Sequence, residues 1–364
     1  MRKKAIIVVN LGTPASSSPS DVARYLREFL MDPEVMDQPF LLRWLLVNLL
    51  IVPFRAKASA KLYQSIWTAE GSPLLVNSFK LLDQLVGLAR QDLRFVLAMR
   101  YGAPSLEQAF LTSLRDDVEE IVILPMYPQY AASSTGTCLQ ACAKIMKRLN
   151  VTIPVSYAKS FYKHPAFLNS IAIVTQEFLG DLKPDYYLFS YHGLPERHMK
   201  KLDANNHCRF DKTCCDNFAT RAPNCYRAQC YYTTKQLVQK LGLPSDKHTT
   251  AFQSRLGRDP WIQPFTDVVI QELPKKGVRH LAVLCPSFVA DCLETLEEIT
   301  VRMQDLFIRA GGEKVTLIPC LNDHKEWVQG IVDIVGSQEN LVPLQLSHLH
   351  STAGTQIQSR TDPS

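Results

Sequence analysis

The chain predicts an α/β protein made of two doubly wound domains that face each other across a cleft. Three observations carry this. Short β-rich runs alternate with longer helical patterns, the signature of parallel βαβ units. At 364 residues the chain is too long for one ordinary core. Its two halves also echo each other in order: VVNLGTP with LFSYHGLP, MRYGAPSLEQAF with SRLGRDPWIQPF, and IVILPMYPQYA with LAVLCPSFVA. That is a pseudo-repeat of roughly 150–180 residues.

Strands are predicted at residues 5–10, 95–99, 120–124, 153–157, 186–189, 249–252, 280–284 and 315–318. Helical patterns fill 20–29, 78–90, 105–115, 135–149, 231–241 and 290–310. Four strands fall on each side of about residue 165, so residues 1–165 and 166–336 are each expected to form a four-stranded parallel sheet. The most apolar run, PFLLRWLLVNLLIVPF at 39–54, is shorter than the roughly 20 residues that cross a bilayer. Arg43 and Asn48 also interrupt it. It reads either as a buried helix or as an apolar lip that dips into a membrane surface. The tail 337–364, rich in Ser, Thr, Gln and Pro, is predicted to be disordered.

A content of 46% hydrophobic and 21% charged residues fits a soluble globular protein. The net charge of +5 comes without an arginine-rich helix or an aromatic-basic strand, which argues against a nucleic-acid partner. The start MRKKAIIVVNLGTP has no signal-peptide pattern, so a cytoplasmic location is expected. The ten cysteines are then core thiols or metal ligands rather than disulfides.

The chemistry gathers at strand ends. DYYLFSYHGLPERH, at 185–198, stops an apolar strand at His192 before a glycine and a proline, placing an imidazole at the carboxyl edge where open α/β sheets bind ligands. Arg100-Tyr101, Tyr127 to Tyr130, Gln253 to Arg255 and Pro286 to Phe288 follow other strands and should share that edge. Arginine beside several aromatics suits a large, flat, anionic ligand. In FVADCLETLEE, at 288–298, helical spacing puts Asp291, Glu294 and Glu298 within about 60° of one another on a solvated outer face. Cys292, Leu293, Leu296, Ile299 and Met303 then turn to the core. The acids could carry cations or protons.

FSYHGLPERH, the YPQYAASSTGT stretch, FQSRLGRDPWIQP and CPSFVADCLETLEEI, with NLGTP and EGSPL, closely resemble the ferrochelatase family over roughly residues 5–335. The resemblance implies a chelatase-like pair of Rossmann-like domains and insertion of Fe²⁺ into protoporphyrin IX, the last step of protohaem synthesis. It implies that His192 accepts pyrrole protons or contacts the metal, that Glu294 is the acid opposite, and that Asp291 and Glu298 continue a cation path. An imidazole, ordinarily titrating near about 6.5, suits that task. Arg55, Tyr63, Ser72, Arg100, Tyr101, Tyr130, Ser133 and Phe288 correspond to substrate-binding positions. Ring binding would also supply the energy that bends the macrocycle. Residues 39–54 correspond to the pocket lip, with peripheral membrane contact open. Where many members carry histidine this chain has Cys292, and Leu11 occupies a site of tyrosine or methionine, so no axial ligand is assigned there.

Residues 199–230 form an insertion relative to simpler members. Cys208, Cys214, Cys215, Cys225 and Cys230 are spaced C-x₅-C-C-x₉-C-x₄-C, which is no zinc ribbon. Four thiolates there could hold a [2Fe–2S] cluster or Zn²⁺. Ala131-Ala132 and the lack of cysteine after Cys320 rule out the tail-ligated cluster of one branch, and the pattern resembles the bacterial branch with an internal cysteine-rich insertion. One cysteine is surplus, and Cys230 is the candidate. Two other readings stay open: a non-catalytic porphyrin- or haem-binding iron sensor with an Fe–S insertion, and a chelatase acting on coproporphyrin or another tetrapyrrole. The presence of both His192 and Glu294 favours the enzyme.

Overall fold

The computed structural model describes residues 3–88, 92–115, 117–203, 207–216, 224–255 and 259–346. Strand β1 (Lys4–Gly12) is buried throughout residues 5–10. It pairs in parallel with β2 (Leu93–Tyr101) on one side and β3 (Glu120–Pro125) on the other. Covered on both faces, it reads as an unbroken apolar run rather than an alternation. Its odd residues Ala5, Ile7 and Val9 join one core, and Ile6 and Val8 join another.

The first sheet runs β2-β1-β3-β4-β9, with β4 at Val155–Ala158, and the second runs β6-β5-β7-β8. The second comprises β5 (Tyr186–His192), β6 (His248–Gln253), β7 (His280–Leu284) and β8 (Lys314–Leu317). Apart from β9 the two orders are the same, which is the structural form of the pseudo-repeat. The expectation of two four-stranded parallel sheets is corrected at one strand: β9 (Leu341–Pro343) returns to pair antiparallel with β4. Residues 338–343 of the predicted disordered tail are therefore ordered. Its residues 347–364 lie outside the described residues, as do 204–206 and 217–223 of the insertion.

The two sheets share a core. One continuous apolar cluster holds Ile6, Val8, Val122 and Leu124 of the first sheet with Phe189, Tyr191, Phe252 and Leu284 of the second. Helices Pro165–Leu179, Tyr226–Leu241 and Lys325–Gly336 fill the layer between them. At its centre Trp327, with no exposed surface, meets Phe161 and Phe167 at ring distances of 5.6 and 5.9 Å. The Tyr226–Leu241 helix starts five residues earlier than its sequence pattern predicts, and its first turn buries Tyr226 and Cys230 in this core.

The apolar 39–54 run is no buried helix. It forms Phe40–Leu45 and a π-helical turn Leu46–Ile51, then leads into Val52–Ile66. Phe40 and Phe54 are 66% and 75% exposed, and Leu41, Leu49 and Leu50 stand out beside them. Arg43 turns inward and donates to the carbonyls of Met36 and Gln38 at 3.0 and 2.8 Å. Among the described residues no helix is long and apolar enough to cross a membrane.

Candidate active site

His192 is the last residue of β5, between β6 and β7, at the point where the chain crosses from one side of the sheet to the other. Ligands of doubly wound sheets bind at such points. Its main-chain N–H donates to Ser287 Oγ at 3.0 Å, and its carbonyl accepts from Tyr226 at 2.8 Å. Nδ1 lies 2.6 Å from the Gly193 carbonyl oxygen. A carbonyl only accepts, so Nδ1 carries the proton and Nε2 keeps its lone pair for chemistry. Phe288 stands beside the ring at 6.3 Å between centroids.

The acids depart from their predicted places. The helix starts only at Leu293, capped by Cys292, and turns into a π-helical segment Glu298–Met303. Asp291 thus precedes the helix, so helical spacing does not set its place. Asp291 and Glu298, expected on a solvated face, are 8% and 5% exposed, while Leu293 and Leu296, expected in the core, are half-buried. Cys292, Ile299 and Met303 are buried as predicted. Asp291 accepts from Thr295 Oγ1 at 3.0 Å, Asn322 Nδ2 at 2.7 Å and the Cys320 N–H at 3.3 Å. It ties this segment to the loop after β8.

Glu298 is buried, near enough to His192 for their charges to interact. Burial pushes its carboxyl up, against the Ser254 hydrogen bonds and Arg302, which pull it down. Glu294 is half-buried, and its neighbour Leu293 packs against Val22, Ala60 and Tyr63. Burial lifts the Tyr25 and Tyr63 phenols well above their ordinary value, and Glu294 is close enough to lift them further. Tyr63 is hydrogen-bonded to the Tyr25 and Thr13 hydroxyls, and Thr13 donates to Ser72 at 2.7 Å. Tyr63 and Ser72 therefore join the acid, along with Thr13 of the NLGTP motif and Tyr25, which carried no motif signal.

The remaining predicted residues spread more widely. Arg100 is ion-paired with Asp32 and donates to Thr137 Oγ1 through Nε at 3.0 Å. Tyr101 also donates to Asp32, at 3.0 Å, and its ring lies under the Arg100 guanidinium. Asp32, a loop acid that sequence reasoning missed, is thus the anchor of this corner. The Tyr130 N–H donates to Gln229 Oε1 at 2.7 Å. Ser133 is half-buried in a π-helical turn, Ala132–Gly136. Arg55 is exposed on the lip beside Phe54, apart from the His192 edge.

In the insertion, Cys208 and Cys225 share a hydrogen bond that pushes the first thiol up and draws the second down. Cys214 bonds to both Cys208 and Cys215. Arg227 Nη1 donates to Cys215 Sγ at 3.1 Å, and burial carries that thiol to about 12. Cys230 is fully buried in the shared core, near enough to Cys215 for their charges to interact. Thiolates are the ligand type that iron–sulfur clusters and zinc take, and a nearby guanidinium favours the thiolate form. Among the described residues, however, no three metal-ligating side chains converge as a binding group.

The ferrochelatase family profile matches residues 3–339. A ferrochelatase of Coxiella burnetii (strain Dugway 5J108-111) is 44% identical over 329 residues, covering 90% of this chain and 92% of that protein. One from Bdellovibrio bacteriovorus is 41% identical over 93% of this chain and all of its own length. One from Legionella pneumophila (strain Lens) is 42% identical, covering 92% and 99%.

Proposed function

The chain belongs to the ferrochelatase family, and from that premise we propose that it inserts Fe²⁺ into protoporphyrin IX, the terminal step of haem synthesis. The observation that carries the residue roles is His192 at the end of β5, its Nδ1 at the Gly193 carbonyl, with the buried Glu298 near enough for their charges to interact. Insertion releases two pyrrole protons as the cation enters. His192 Nε2 accepts a proton or contacts the metal, and Glu294 on the opposite side passes the cation in or the proton out. Glu298 continues that path into the protein. Asp291, already holding three donors, serves the frame of the segment.

Tyr63, Ser72, Tyr101, Tyr130, Ser133 and Phe288 contribute the ring pocket. Arg100, held by Asp32, keeps a cation at its rim, and Arg55 stands at the mouth. The exposed lip guides an apolar ring inward and gives the protein a surface that can rest on a membrane in the cytoplasm.

The insertion holds a [2Fe–2S] cluster through Cys208, Cys214, Cys215 and Cys225. The proximity of these thiols to one another and the Arg227 contact to Cys215 support this reading, and the complete burial of Cys230 makes it the surplus cysteine. Metal insertion is redox-neutral, so the cluster's part is structural or sensory.

The test is metallation of protoporphyrin IX by Fe²⁺ or Zn²⁺, followed by absorbance, for wild type and His192→Ala. Loss of a general base costs about 10²–10⁴-fold in rate, with porphyrin binding and fold retained. A wild type that binds porphyrin but metallates it with neither ion would overturn the reading. The visible spectrum and iron content of the same anaerobic preparation test the cluster, and flotation with lipid vesicles tests the lip.

A further inference from the structure

Building on the chelatase reading, we propose that Ser254 is a positioning residue that clamps Glu298 into the cleft, carried on Gln253, which ties the same strand end to His192's turn and to Glu294. Ser254 follows β6 with φ of +66°. That left-handed conformation is unfavourable for a residue with a Cβ atom and persists only where the surroundings enforce it. Here it allows both donors of one residue to reach both oxygens of one carboxylate. The Ser254 N–H lies 3.0 Å from Glu298 Oε1 and its Oγ 2.6 Å from Oε2.

Glu298 is 5% exposed, and its other ionic partner, Arg302, is farther away at 3.7 Å. A buried carboxylate needs such donors, and the two from Ser254 also fix its direction. Gln253 supplies the frame. Its main-chain oxygen accepts from Gly193 at 2.8 Å, its Oε1 accepts from Ser190 at 2.6 Å, and its Nε2 donates to the Glu294 carbonyl at 2.8 Å. Two consecutive residues therefore touch the base-bearing turn and both ends of the acidic segment. The hydrogen bonds of Ser254 go to the acid, so its influence falls on the cation and not on the ring.

Ser254→Gly tests this, because glycine accepts the φ of +66° and keeps the N–H while losing the hydroxyl. The KM for Fe²⁺ or Zn²⁺ should rise about tenfold, as for loss of a hydrogen bond to a charged group, with the KM for porphyrin unchanged. If Ser254 acts through Glu298, the double variant Ser254→Gly/Glu298→Gln should be no worse than Glu298→Gln alone. Additive losses, or a change in porphyrin KM instead of metal KM, would overturn the proposal. Co²⁺ binding to the same four porphyrin-free proteins, read by ligand-field absorbance, keeps the two readings separate. If wild type metallates nothing, the chelatase reading fails. Non-additive weakening of Co²⁺ binding would then still support the clamp, and additive or unchanged affinities would end it.

Discussion

The turn after β5 holds His192 largely through main-chain atoms. Gly193 is the residue that permits it: a Cβ there would sit 2.7 Å from the Gln253 carbonyl oxygen and 3.3 Å from the Trp261 ring. Gly193→Ala must push β6 or Trp261 away and break the 2.8 Å bond from Gly193 to Gln253. Overpacking of this kind costs about 1–3 kcal/mol, so a lower Tm and slower metallation are expected together. Unchanged values of both would mean that the turn is not a constraint. His192 and Gly193 were legible in the sequence because a strand, a glycine and a proline occur within a few residues. Asp32 was not, since nothing local in MDPEV announces that its partners Arg100 and Thr137 lie 68 and 105 residues away.

At the scale of elements, the helix Glu196–Leu202 links three functional segments. It follows the His192 turn, and Asp203 at its end accepts from the N–H groups of His207 and Cys208 at 3.0 and 2.6 Å, where the cysteine insertion begins. Across the cleft, Arg197 and Lys201 both engage Asp37, just ahead of the lip. Burial works against the Asp37 charge, but the bonds from Lys201 and Arg197 outweigh it and lower its pKa from 3.8 to about 2. A depressed carboxylate contributes stability above its unfolded value and loses it as pH falls through the folded one. Asp37→Asn should therefore lower Tm at pH 6, and the gap to wild type should close between pH 4 and 2. The cluster is partly exposed, so its whole contribution is about 1 kcal/mol at most. A gap that persists at pH 2 would show that charge is not what holds the lip here.

For the whole molecule, the decisive feature is the layer that both sheets bury. Trp327 packs on Phe161 and Phe167 within a cluster that also includes Ile6 of the first sheet and Phe189 of the second. Trp327→Ala should cost about 3–5 kcal/mol and shift one cooperative thermal transition seen by probes in both halves. Two separate transitions, with only one displaced, would mean that the halves are energetically independent.

The sequence by itself determined the eight parallel strands, their division about residue 165, and the strand edge that carries His192. Each of these is written in local hydrophobic period and in a turn. It also determined the family, through motifs that remain contiguous. Tertiary structure alone decided which faces are covered. A helical wheel put the 291–298 acids in solvent, and a later helix start with tertiary packing put two of them inside. The wheel also could not choose between burial and exposure for residues 39–54, because an apolar stripe looks the same whether or not anything covers it. The same holds for β9, the shared core and the clamp of Ser254 on Glu298. These pairings join residues from 44 to well over 100 positions apart, and no local periodicity encodes contacts at that distance.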